Sequence, residues 1–469
     1  MAIWVPDLTG RRGPAYLAIV EALAEDIAAG ALAPGARLPP HRELAHALGL
    51  SPNTTSRAYA EAVARALVRG EVGRGTFVRA PGGPAEAASA ADLRRAASGP
   101  IDLSRNLPNR GAAGEHLGRT LEWLGHDGGR NGDLQGLLDY HDAAEPDRAA
   151  AVALAWLARL GVPASADEAV VTVGAQHALF ASLLALTRPG DLILTEALTY
   201  APLKAMAARL GLTVRGLPLD ADGLRPEALE ALCADHAPRL AYLTPTLQTP
   251  TAAIMPESRR RALVEVAGRH DLLLIEDDVF GPLVLDAPPP LARLAPDRVV
   301  YLSSTSKVLA PGLRVGVARA PAPLAAALRG AVTLSCWMAP PLMAEIAGRW
   351  IADGTATRLT EAQRAVARRR QALAAHAFDG LEIRAHPCGL HLWLPLPTGW
   401  TADALRAEAA TQGVRVTEAA AFAVDPAAAP EAVRLCLSHE PDEDRLSRGL
   451  DTIRRILDGP PGRTGPLVM

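Results

Sequence analysis

The pattern of apolar and polar positions separates a short helical head from a longer segment in which strands and helices alternate. From residue 101 to about residue 458, runs that are apolar throughout are spaced by helical runs rich in Ala, Leu and Arg. The clearest strand-like runs are EAVVTV, DLILTE, LTVRGL, RLAYLT, DLLLIEDD and RVVYLSS. Such spacing predicts an α/β fold with a mainly parallel sheet covered by helices on both faces. After about residue 370 the strands and helices are mixed, which predicts a smaller α+β C-terminal part.

The first 80 residues have the pattern of a small helical domain that ends in a β-hairpin. Residues 15–29 predict one amphipathic helix. A second helix, a tight turn at Gly49 and a third helix follow, with Ser51 as the N-cap and Pro52 at the first helical position. The run VRGEVGRGTFVRA then predicts a hairpin with Arg74 at its tip. This order is typical of a helix-turn-helix whose second helix enters the major groove.

Composition marks the segments between and after these regions. Residues 81–100 are rich in Ala, Gly and Pro and predict a flexible linker, and the last residues predict a loose tail. The predicted domains are 1–80 for the head, 81–100 for the linker, 101–458 for the large domain (main part about 101–369, small part about 370–458) and 459–469 for the tail.

Charge and cysteine content exclude several classes of protein. The net charge of −3 gives no broad basic field. In residues 1–80, nine Arg against seven acidic residues leave only +2, so DNA contacts depend on individually placed side chains. The four cysteines form no CxxC pair, which argues against a metal site and fits a reducing cytoplasm. Gln176 and His177 interrupt the most apolar stretch, so no membrane span is expected.

Lysine is nearly absent, which draws attention to the two lysines that remain, Lys204 and Lys307. Arginine replaces lysine wherever only a positive charge is needed, but it cannot form a Schiff base. A retained lysine is therefore a candidate for lysine-specific chemistry. We expect Lys204 to be a solvated helix position, and His177 to be structural.

The surroundings of Lys307 suit chemistry based on pyridoxal 5'-phosphate, which needs a lysine, a carboxylate for the ring nitrogen and groups for the phosphate. Lys307 follows a predicted strand and a turn containing Ser304 and Ser306, and Arg314 comes seven residues later. Asp277 ends the buried strand DLLLIEDD, where ligands dock in open α/β sheets. The segment VTVGAQHALF places a glycine turn at a helix start, which is a ready phosphate site.

The amino-acid sequence of the head resembles the winged helix-turn-helix of the GntR family. Gly35 to Tyr59 follows the family pattern G-x-R-L-P-P-x-R-x-L-A-x-x-L-G-V-S-x-x-T-V-x-R-A-Y, and Gly73 to Val78 follows G-x-G-T-F-V. The resemblance implies double-stranded DNA as a partner. The expected DNA-contacting residues, from the resemblance and from the first turns of the recognition helix, are Arg42, Ser51, Asn53, Thr54, Thr55, Arg57, Arg74, Gly75 and Thr76.

The large domain resembles the fold-type I aminotransferases of the aspartate aminotransferase superfamily. The motifs that carry the resemblance are, in order, IDLSRNLP, GAQ, PTLQTPT, EDD, SSTSK and a late strand arginine, Arg434. Joined to a GntR-type head, this is the signature of the MocR/GabR group of regulators. The resemblance implies a homodimer with paired heads.

The same resemblance assigns roles by position. Lys307 would form the internal aldimine, Asp277 would pair with the ring nitrogen, and Arg434 would bind the carboxylate of a small amine effector. The remaining residues implied to contact the cofactor are Ala175, Gln176, Ser304, Ser306 and Arg314 around the phosphate, Tyr200 stacked on the ring, and Thr249 and Phe280 near the phenolic oxygen.

Each of these residues also has a plain structural interpretation, which the sequence leaves open. Lys307 fits an ordinary surface lysine, and Asp277 fits a carboxylate that caps a strand end or pairs with an arginine. Tyr200 fits a core tyrosine, and Arg434 fits a surface strand residue.

Two positions depart from the family pattern. Thr249 replaces the usual Asn of N-P-T, and Phe280 replaces the usual Tyr, so both usual hydrogen-bond donors to the phenolic oxygen are changed. Losing donors destabilises the phenolate, so we expect a raised aldimine pKa, weaker cofactor binding and weak transamination. A site that no longer binds the cofactor is the second interpretation.

Three functions follow from these patterns. The first is a transcriptional regulator that binds pyridoxal 5'-phosphate and responds to an amine effector. The second is a working aminotransferase with a regulatory head, and the third is a cofactor-free dimer scaffold. The head favours the first, because an enzyme has no chemical use for a complete DNA-binding module.

Overall fold

The computed structural model describes residues 4–8, 14–33, 35–64, 67–71, 75–78, 99–128, 134–140 and 147–460. The chain divides into two compact units, residues 1–98 and 99–469. The predicted linker, apart from its last two residues, and nearly all of the predicted tail lie outside the described residues. Among the described residues, no helix combines the length and the apolar character that crossing a bilayer requires.

The first unit is a winged helix-turn-helix. Its helices and strands are α1 (Ala15–Ala28), β1 (Arg37–Leu38), α2 (His41–Leu48), α3 (Pro52–Ala64), β2 (Val68–Glu71) and β3 (Gly75–Val78). The three strands form an antiparallel sheet in the order β1-β3-β2. The apolar face of α1 packs on α2 and α3 through fully buried side chains that include Ile19, Val20, Leu23 and Leu44.

Local capping explains the turn between α2 and α3. Gly49 takes a left-handed backbone conformation, with φ 62°, and its amide closes the end of α2. Ser51 Oγ accepts a hydrogen bond from the Thr54 amide at 3.2 Å, as an N-cap does. Pro52 is the first residue of α3, where its missing amide hydrogen costs nothing.

The second unit contains a seven-stranded sheet in the order β5-β13-β12-β11-β10-β6-β7. Its strands are β5 (Ala169–Thr172), β6 (Leu192–Glu196), β7 (Thr213–Leu217), β10 (Leu240–Leu243), β11 (Leu273–Asp277), β12 (Val299–Ser304) and β13 (Gly316–Arg319). All six runs predicted from their apolar pattern are strands. The pairs from β12 through β7 are parallel, which confirms the mainly parallel α/β sheet.

Helices surround this sheet and form two apolar layers, one on each side. The helices of the second unit before residue 353 are α4 (Ala113–Trp123), α5 (Asp147–Arg159), α6 (Ala175–Leu186), α7 (Ala201–Arg209), α8 (Pro226–Asp235), α9 (Glu257–Arg269), α10 (Leu291–Leu294), α11 (Ala322–Cys336) and α12 (Pro341–Ala352). A small hairpin of β8 (Leu219–Asp220) and β9 (Gly223–Leu224) precedes α8.

The apolar pattern did not reveal strand β13. This four-residue strand lies between β12 and β5 and runs antiparallel to both. It follows β12 after a short connection that contains Lys307 and Arg314. Because the chain reverses direction here, both side chains emerge at the edge of the sheet where β11 and β12 end.

The C-terminal part is a separate antiparallel sheet with its own core. Its strands and helices are α13 (Thr355–Ala377), β14 (Arg384–Ala385), β15 (His391–Pro395), α14 (Ala402–Thr411), β16 (Val414–Arg415), β17 (Thr417–Glu418), β18 (Ala432–Cys436) and α15 (Glu443–Leu457). The sheet order is β14-β15-β18-β17. Strand β4 (Ile101–Asp102) pairs with β16, and Leu103 is buried in the core of this part. Residues 101–103 therefore pack with the small part, although the sequence pattern predicted them as the start of the main part.

A buried ion pair joins two segments behind the sheet edge. The guanidinium of Arg260 lies 3.6 Å from the carboxylate of Glu276, and both side chains are fully buried. Arg260 also donates to the carbonyls of Pro245 and Met255, at 3.1 and 2.9 Å. Glu276 accepts from the amides at the start of α10. Burial raises the pKa of Glu276 to about 7, and Arg260 opposes that rise. This pair therefore holds the loop after β10 in place.

Candidate cofactor site and DNA-binding head

The carboxyl ends of β11 and β12 place the two central residues of the site. Asp277 is the last residue of β11, and β12 ends at Ser304. A single 3₁₀ turn, Thr305–Lys307, then brings Lys307 over the sheet edge. Ser304 Oγ accepts a hydrogen bond from the Ser306 amide at 3.0 Å and donates to Ser306 Oγ at 2.8 Å, so the two serines shape this turn.

Lys307 lies in surroundings that favour the neutral amine. Its side chain is partly buried, and Nζ donates to the main-chain carbonyl of Asn106 at 2.5 Å. Burial lowers the pKa of Lys307 to about 8, and the charges of Arg434 and Arg314 act in the same direction. Asp277 opposes the change. An amine with this pKa is a competent nucleophile near neutral pH.

Asp277 is a buried carboxylate with one strong partner. Oδ2 accepts a hydrogen bond from the hydroxyl of Tyr242 at 2.7 Å, and Oδ1 accepts from the Val279 amide at 3.4 Å. Burial raises the pKa of Asp277, while the Tyr242 hydrogen bond and the charge of Lys307 lower it. The carboxylate is thus held in one orientation, and Lys307 lies close enough to influence its charge.

The start of α6 forms a cradle for an anion. Gly174 precedes the helix with φ 81°, and the first amides of a helix have no partners inside the helix. Arg314 lies against Gly174, since a Cβ there would be 2.6 Å from Arg314 Nη2. Arg314 Nη2 also donates to the carbonyl of Val173 at 3.0 Å. A guanidinium beside a helix N-terminus is the arrangement that a phosphate group fits.

The other residues expected at the phosphate and ring lie beside this cradle. Ala175 is buried and Gln176 is exposed in the first turn of α6. The hydroxyl of Tyr200, at the start of α7, donates to Gln176 Oε1 at 3.2 Å. Burial raises the pKa of Tyr200 to about 12, and the charge of Asp277 adds to this rise. Tyr200 thus lies between the anion cradle and Asp277.

Arg434 reaches the site from β18 of the small part. Its side chain is 8 % exposed, and its guanidinium lies over the ring of Phe422, 4.6 Å from the centroid. Nη2 donates to the carbonyl of Ser104 at 2.7 Å, while buried Nε has no hydrogen-bond partner. Arg434 is a buried cation with an unused donor, unlike the surface strand residue that the pattern also allowed.

The departures at Thr249 and Phe280 are both buried. Phe280 is 6 % exposed, and Lys307 Nζ lies 5.3 Å from the centroid of its ring. Thr249 is 7 % exposed and precedes a cis proline, Pro250. The neighbouring Gln248 folds this loop onto itself, because its side-chain oxygen accepts from the Thr251 amide and hydroxyl. Phe280 therefore presents carbon, with no donor, towards Lys307.

Two residues that the sequence did not single out complete the surroundings of Lys307. His391, the first residue of β15, is fully buried, and its ring centroid is 5.7 Å from that of Phe280. Asn106 lies 3.2 Å from His391 through Nδ2 and Nδ1. His391 Nε2 and Asn106 Oδ1 are both buried without hydrogen-bond partners. The available signals were a histidine inside the apolar run LHLWLPL and the motif IDLSRNLP.

These unused polar atoms test whether the site suits a polar cofactor. Seven buried side-chain atoms in the described residues have no partner, and three of them belong to Asn106, His391 and Arg434. All three residues interact with Lys307 or with its immediate neighbours. Buried polar groups are rarely left unpaired, so this grouping fits a cavity made for a polar ligand. The anion cradle and Asp277 fit the phosphate and ring nitrogen of pyridoxal 5'-phosphate.

A further acidic residue of this sheet edge was missed. Glu196 ends β6 and is fully buried. Its carboxylate accepts hydrogen bonds from the amide and hydroxyl of Thr244, at 3.2 and 2.9 Å. Burial raises the pKa of Glu196 to about 7, and these hydrogen bonds oppose that rise. The run DLILTE shows Glu196 as a polar residue at the end of a strand. It does not show that Glu196 is buried, because the burial depends on the neighbouring segment at the end of β10.

Lys204 and His177 have clear structural roles. Lys204 is a partly exposed helix position, and it also has a contact that was not expected, because Nζ donates to the carbonyls of Ala421 and Ala423 at 3.0 and 2.6 Å. These bonds fasten α7 to the segment before β18. His177 accepts a hydrogen bond from the Val173 amide at 3.1 Å through Nδ1. That contact closes the turn before α6, as expected of a structural histidine.

In the head, several predicted DNA-contacting residues are at the surface of the helix-turn-helix. Arg42 and Asn53 are exposed, at the starts of α2 and α3. Arg57 is also exposed, and its guanidinium lies 4.0 Å from the ring centroid of Tyr16 while Nη2 donates to the Tyr16 hydroxyl at 3.2 Å. Ser51 and Thr54 are engaged with each other at the N-cap. The tyrosine therefore holds the Arg57 guanidinium at the surface of α3.

Thr55 differs from the expectation, whereas the wing residues Arg74, Gly75 and Thr76 stay a prediction. Thr55 is fully buried, and its hydroxyl donates to the carbonyl of His41 at 2.8 Å. Its role is to join α3 to α2, so we leave it out of the DNA-contacting set. Gly75 has φ 117° and lies against Arg37, and Thr76 pairs with β1 and β2. Arg74 lies outside the described residues.

Comparison with known families agrees with this division. Residues 15–78 match the family described as bacterial regulatory proteins, gntR family. Residues 116–453 match the family described as aminotransferase class I and II. The Bacillus subtilis protein named uncharacterized HTH-type transcriptional regulator YdeF is 31 % identical over 462 residues, which are 97 % of each chain. The chain belongs to the MocR-type transcriptional regulators. The regulator thus joins a gntR head to a domain of a family that depends on pyridoxal 5'-phosphate.

A second relative that matches most of the chain is also named as a transcriptional regulator. HTH-type transcriptional regulator TauR of Rhodobacter capsulatus is 28 % identical over 455 residues, covering 89 % of the regulator and 91 % of TauR. Both relatives are named as transcriptional regulators, so the regulator's class does not rest on its head alone.

Solved structures confirm the fold of the large domain. A Pyrococcus horikoshii kynurenine aminotransferase, solved in complex with PMP, has a TM-score of 0.71 at 23 % identity and covers 79 % of the regulator and 94 % of its own chain. An archaeal alanine:glyoxylate aminotransferase has a TM-score of 0.70 at 24 % identity, with the same coverage. At this identity the likeness establishes the fold-type I architecture.

Proposed function

We propose that this regulator binds pyridoxal 5'-phosphate through Lys307 and uses it to detect a small amine that also carries an anionic group. The observation that carries the proposal is the surroundings of Lys307. One of only two lysines in the chain lies at the edge of the sheet, with a pKa of about 8 and with Asp277 beside it. The unpaired polar atoms around it support a polar occupant.

Each part of the cofactor has a matching group in the chain. When bound, pyridoxal 5'-phosphate supplies an aldehyde that condenses with primary amines. The first turn of α6 and Arg314 would hold its phosphate, and Ser304 and Ser306 lie in the separate turn that carries Lys307. Asp277 would hold the ring nitrogen and its proton, because Tyr242 fixes the carboxylate from the other side. Tyr200, at the start of α7, would pack on the ring.

Arg434 supports an effector that carries a carboxylate or sulfonate. Its guanidinium is stacked on Phe422, has one donor engaged by Ser104, and keeps Nε free of partners. A planar guanidinium held this way binds an anion through two parallel hydrogen bonds. Because Arg434 and Asn106 both border Lys307, an amine with an anionic end would span from the lysine to the arginine.

The gntR head supports operator DNA as the macromolecular partner. Regulation requires that the effector bind two arrangements of the protein with different affinity, and it does not require turnover. The aminotransferase class I and II domain commonly forms dimers, and two heads would read paired half-sites. A homodimer that presents two heads is therefore the assembly we propose.

An absorption spectrum followed by borohydride reduction tests the cofactor proposal. The purified full-length protein, supplied with pyridoxal 5'-phosphate, should show a visible band, and peptide mapping after reduction should place a pyridoxyl group on Lys307. The variant Lys307→Ala should lose both signals. Lys204→Ala is the matched control and should keep both signals, because Lys204 donates its hydrogen bonds to the main-chain carbonyls of Ala421 and Ala423 and not to residues of the cofactor site. A colourless, unlabelled parent protein contradicts the proposal.

A turnover aminotransferase is the second candidate, favoured by the retained Lys307 and Asp277. The two candidates differ in one assay. Production of a keto acid from an amino donor at a rate far above that of free cofactor supports the enzyme. An effector-dependent change in operator binding without keto-acid production supports the regulator proposed here.

A further inference from the structure

His391 is a buried histidine with one ring nitrogen in use. It is fully buried, and Nδ1 lies 3.2 Å from the side-chain nitrogen of Asn106. Nε2 has no hydrogen-bond partner. An unpaired polar atom in a fully buried side chain is costly, so a group absent from the chain itself should pair with Nε2.

The partner of Nδ1 decides which ring nitrogen carries the proton. An amide NH₂ only donates, so Asn106 Nδ2 requires Nδ1 of His391 to accept. In a neutral imidazole the proton then lies on Nε2, which makes Nε2 a donor. Burial lowers the pKa of His391 to about 3, and the charges of Arg434 and Lys307 add to this effect. The ring is therefore neutral throughout the physiological range.

The surroundings of His391 show where this donor lies. Its ring packs next to the ring of Phe280, and Lys307 Nζ also lies close to the Phe280 ring. The main-chain carbonyl of Gln248, the residue before Thr249, lies close enough to the imidazole to raise its pKa, although the contact lacks the geometry of a hydrogen bond to Nε2. His391 thus lies next to Phe280, which has no donor, and near the loop that carries Thr249, whose hydroxyl replaces the usual amide.

The chemistry of the cofactor requires a donor in this region. In pyridoxal 5'-phosphate, the carbon that bonds the lysine nitrogen is flanked by the ring oxygen on one side and the phosphate arm on the other. The phosphate cradle at Gly174 and Arg314 lies on the α6 side of Lys307. The ring oxygen would therefore lie on the side away from the cradle, and Phe280 and His391 lie near Lys307 without being part of the cradle.

We infer that His391, oriented by Asn106, donates a hydrogen bond to the cofactor's ring oxygen and so compensates for the changed residues at positions 249 and 280. This inference rests on the proposed binding of pyridoxal 5'-phosphate at Lys307. His391 is a positioning residue that stabilises the anionic form of the ring oxygen, because a donated hydrogen bond favours the charged state. In this arrangement the hydrogen-bond donor to the ring oxygen comes from β15 of the small part and not from the carboxyl edge of the main sheet.

The test is a pH titration of the visible band in the full-length protein loaded with pyridoxal 5'-phosphate. In His391→Phe, the midpoint of the spectral change should rise by about one pH unit, because a hydrogen bond to a charged group contributes roughly a tenfold change in the equilibrium. His391→Gln, which keeps an N–H donor, should shift less. Phe280→Tyr in the His391→Phe background should move the midpoint back down, because it adds a hydroxyl beside Lys307.

Asn106→Gly provides a second reading that does not alter the buried ring. It removes the amide that fixes the proton on Nε2 and keeps the main-chain carbonyl that accepts from Lys307. Its midpoint should also rise, even if His391→Phe fails to fold. Midpoints that stay at the parent value in a folded His391→Phe or in Asn106→Gly overturn the inference. A parent protein without a visible band and without label on Lys307 overturns the proposed function instead.

Discussion

The acidity of Lys307 is the property of this site that can be measured most directly. Without bound cofactor, its pKa should be about 8 in place of the ordinary 10.5, because burial disfavours the ammonium form. At pH 7.5 about one quarter of the Lys307 amines would then be neutral, against about one in a thousand for an ordinary lysine. The expected gain in neutral amine is therefore about 200-fold.

Competitive acetylation with trace reagent measures this pKa by mass spectrometry. The cofactor-free protein and a reference peptide with one exposed lysine would be labelled together between about pH 6 and about pH 11. The extent of labelling of Lys307 should rise with a midpoint near pH 8, while the reference peptide should titrate at the ordinary value. Lys204, whose pKa burial also lowers, reports on folding in the same spectra.

Two variants assign the cause of the shift. Arg434→Gln should raise the Lys307 midpoint, because the Arg434 charge disfavours the ammonium form. Asp277→Asn should lower it further, because the carboxylate favours that form. A midpoint near 10.5 in the parent protein, or shifts of the opposite sign in both variants, would refute the electrostatic account of this site.

Two further predictions concern the core and the head. Arg260→Met should cost the large domain about 3–5 kcal/mol, because the buried Glu276 loses its charged partner and must either stay ionised without it or take up a proton. Thermal unfolding should show much of that loss recovered in Arg260→Met with Glu276→Gln, and equal melting of both variants would contradict the ion-pair explanation. Arg57→Ala should weaken operator binding at least about tenfold without changing the cofactor spectrum, as judged by fluorescence anisotropy. Tyr16→Phe is its control, since the ring under Arg57 remains, and undiminished binding by Arg57→Ala would place the recognition surface elsewhere.

The main parts of the fold and the reactive residues of the site could be predicted from the sequence. Apolar runs spaced by helices give a parallel sheet, and polar residues that end such runs must emerge at its carboxyl edge. Asp277 and Lys307 lie at that edge for this reason. The turn at Gly49 and the cap at Ser51 could be predicted too, because both depend on backbone geometry within a few residues.

Contacts between distant segments depend on the tertiary structure alone. His391 and Asn106 are 285 positions apart and meet because β15 and the segment after β4 belong to the same small part. The antiparallel insertion of β13 and the burial of Glu196 depend on which strands become neighbours. Local pattern carries no information on those choices, since they minimise unpaired polar groups and exposed apolar surface over the whole chain. For this reason the lysine could be assigned to the site from the sequence, whereas the fold was needed to place His391 near it.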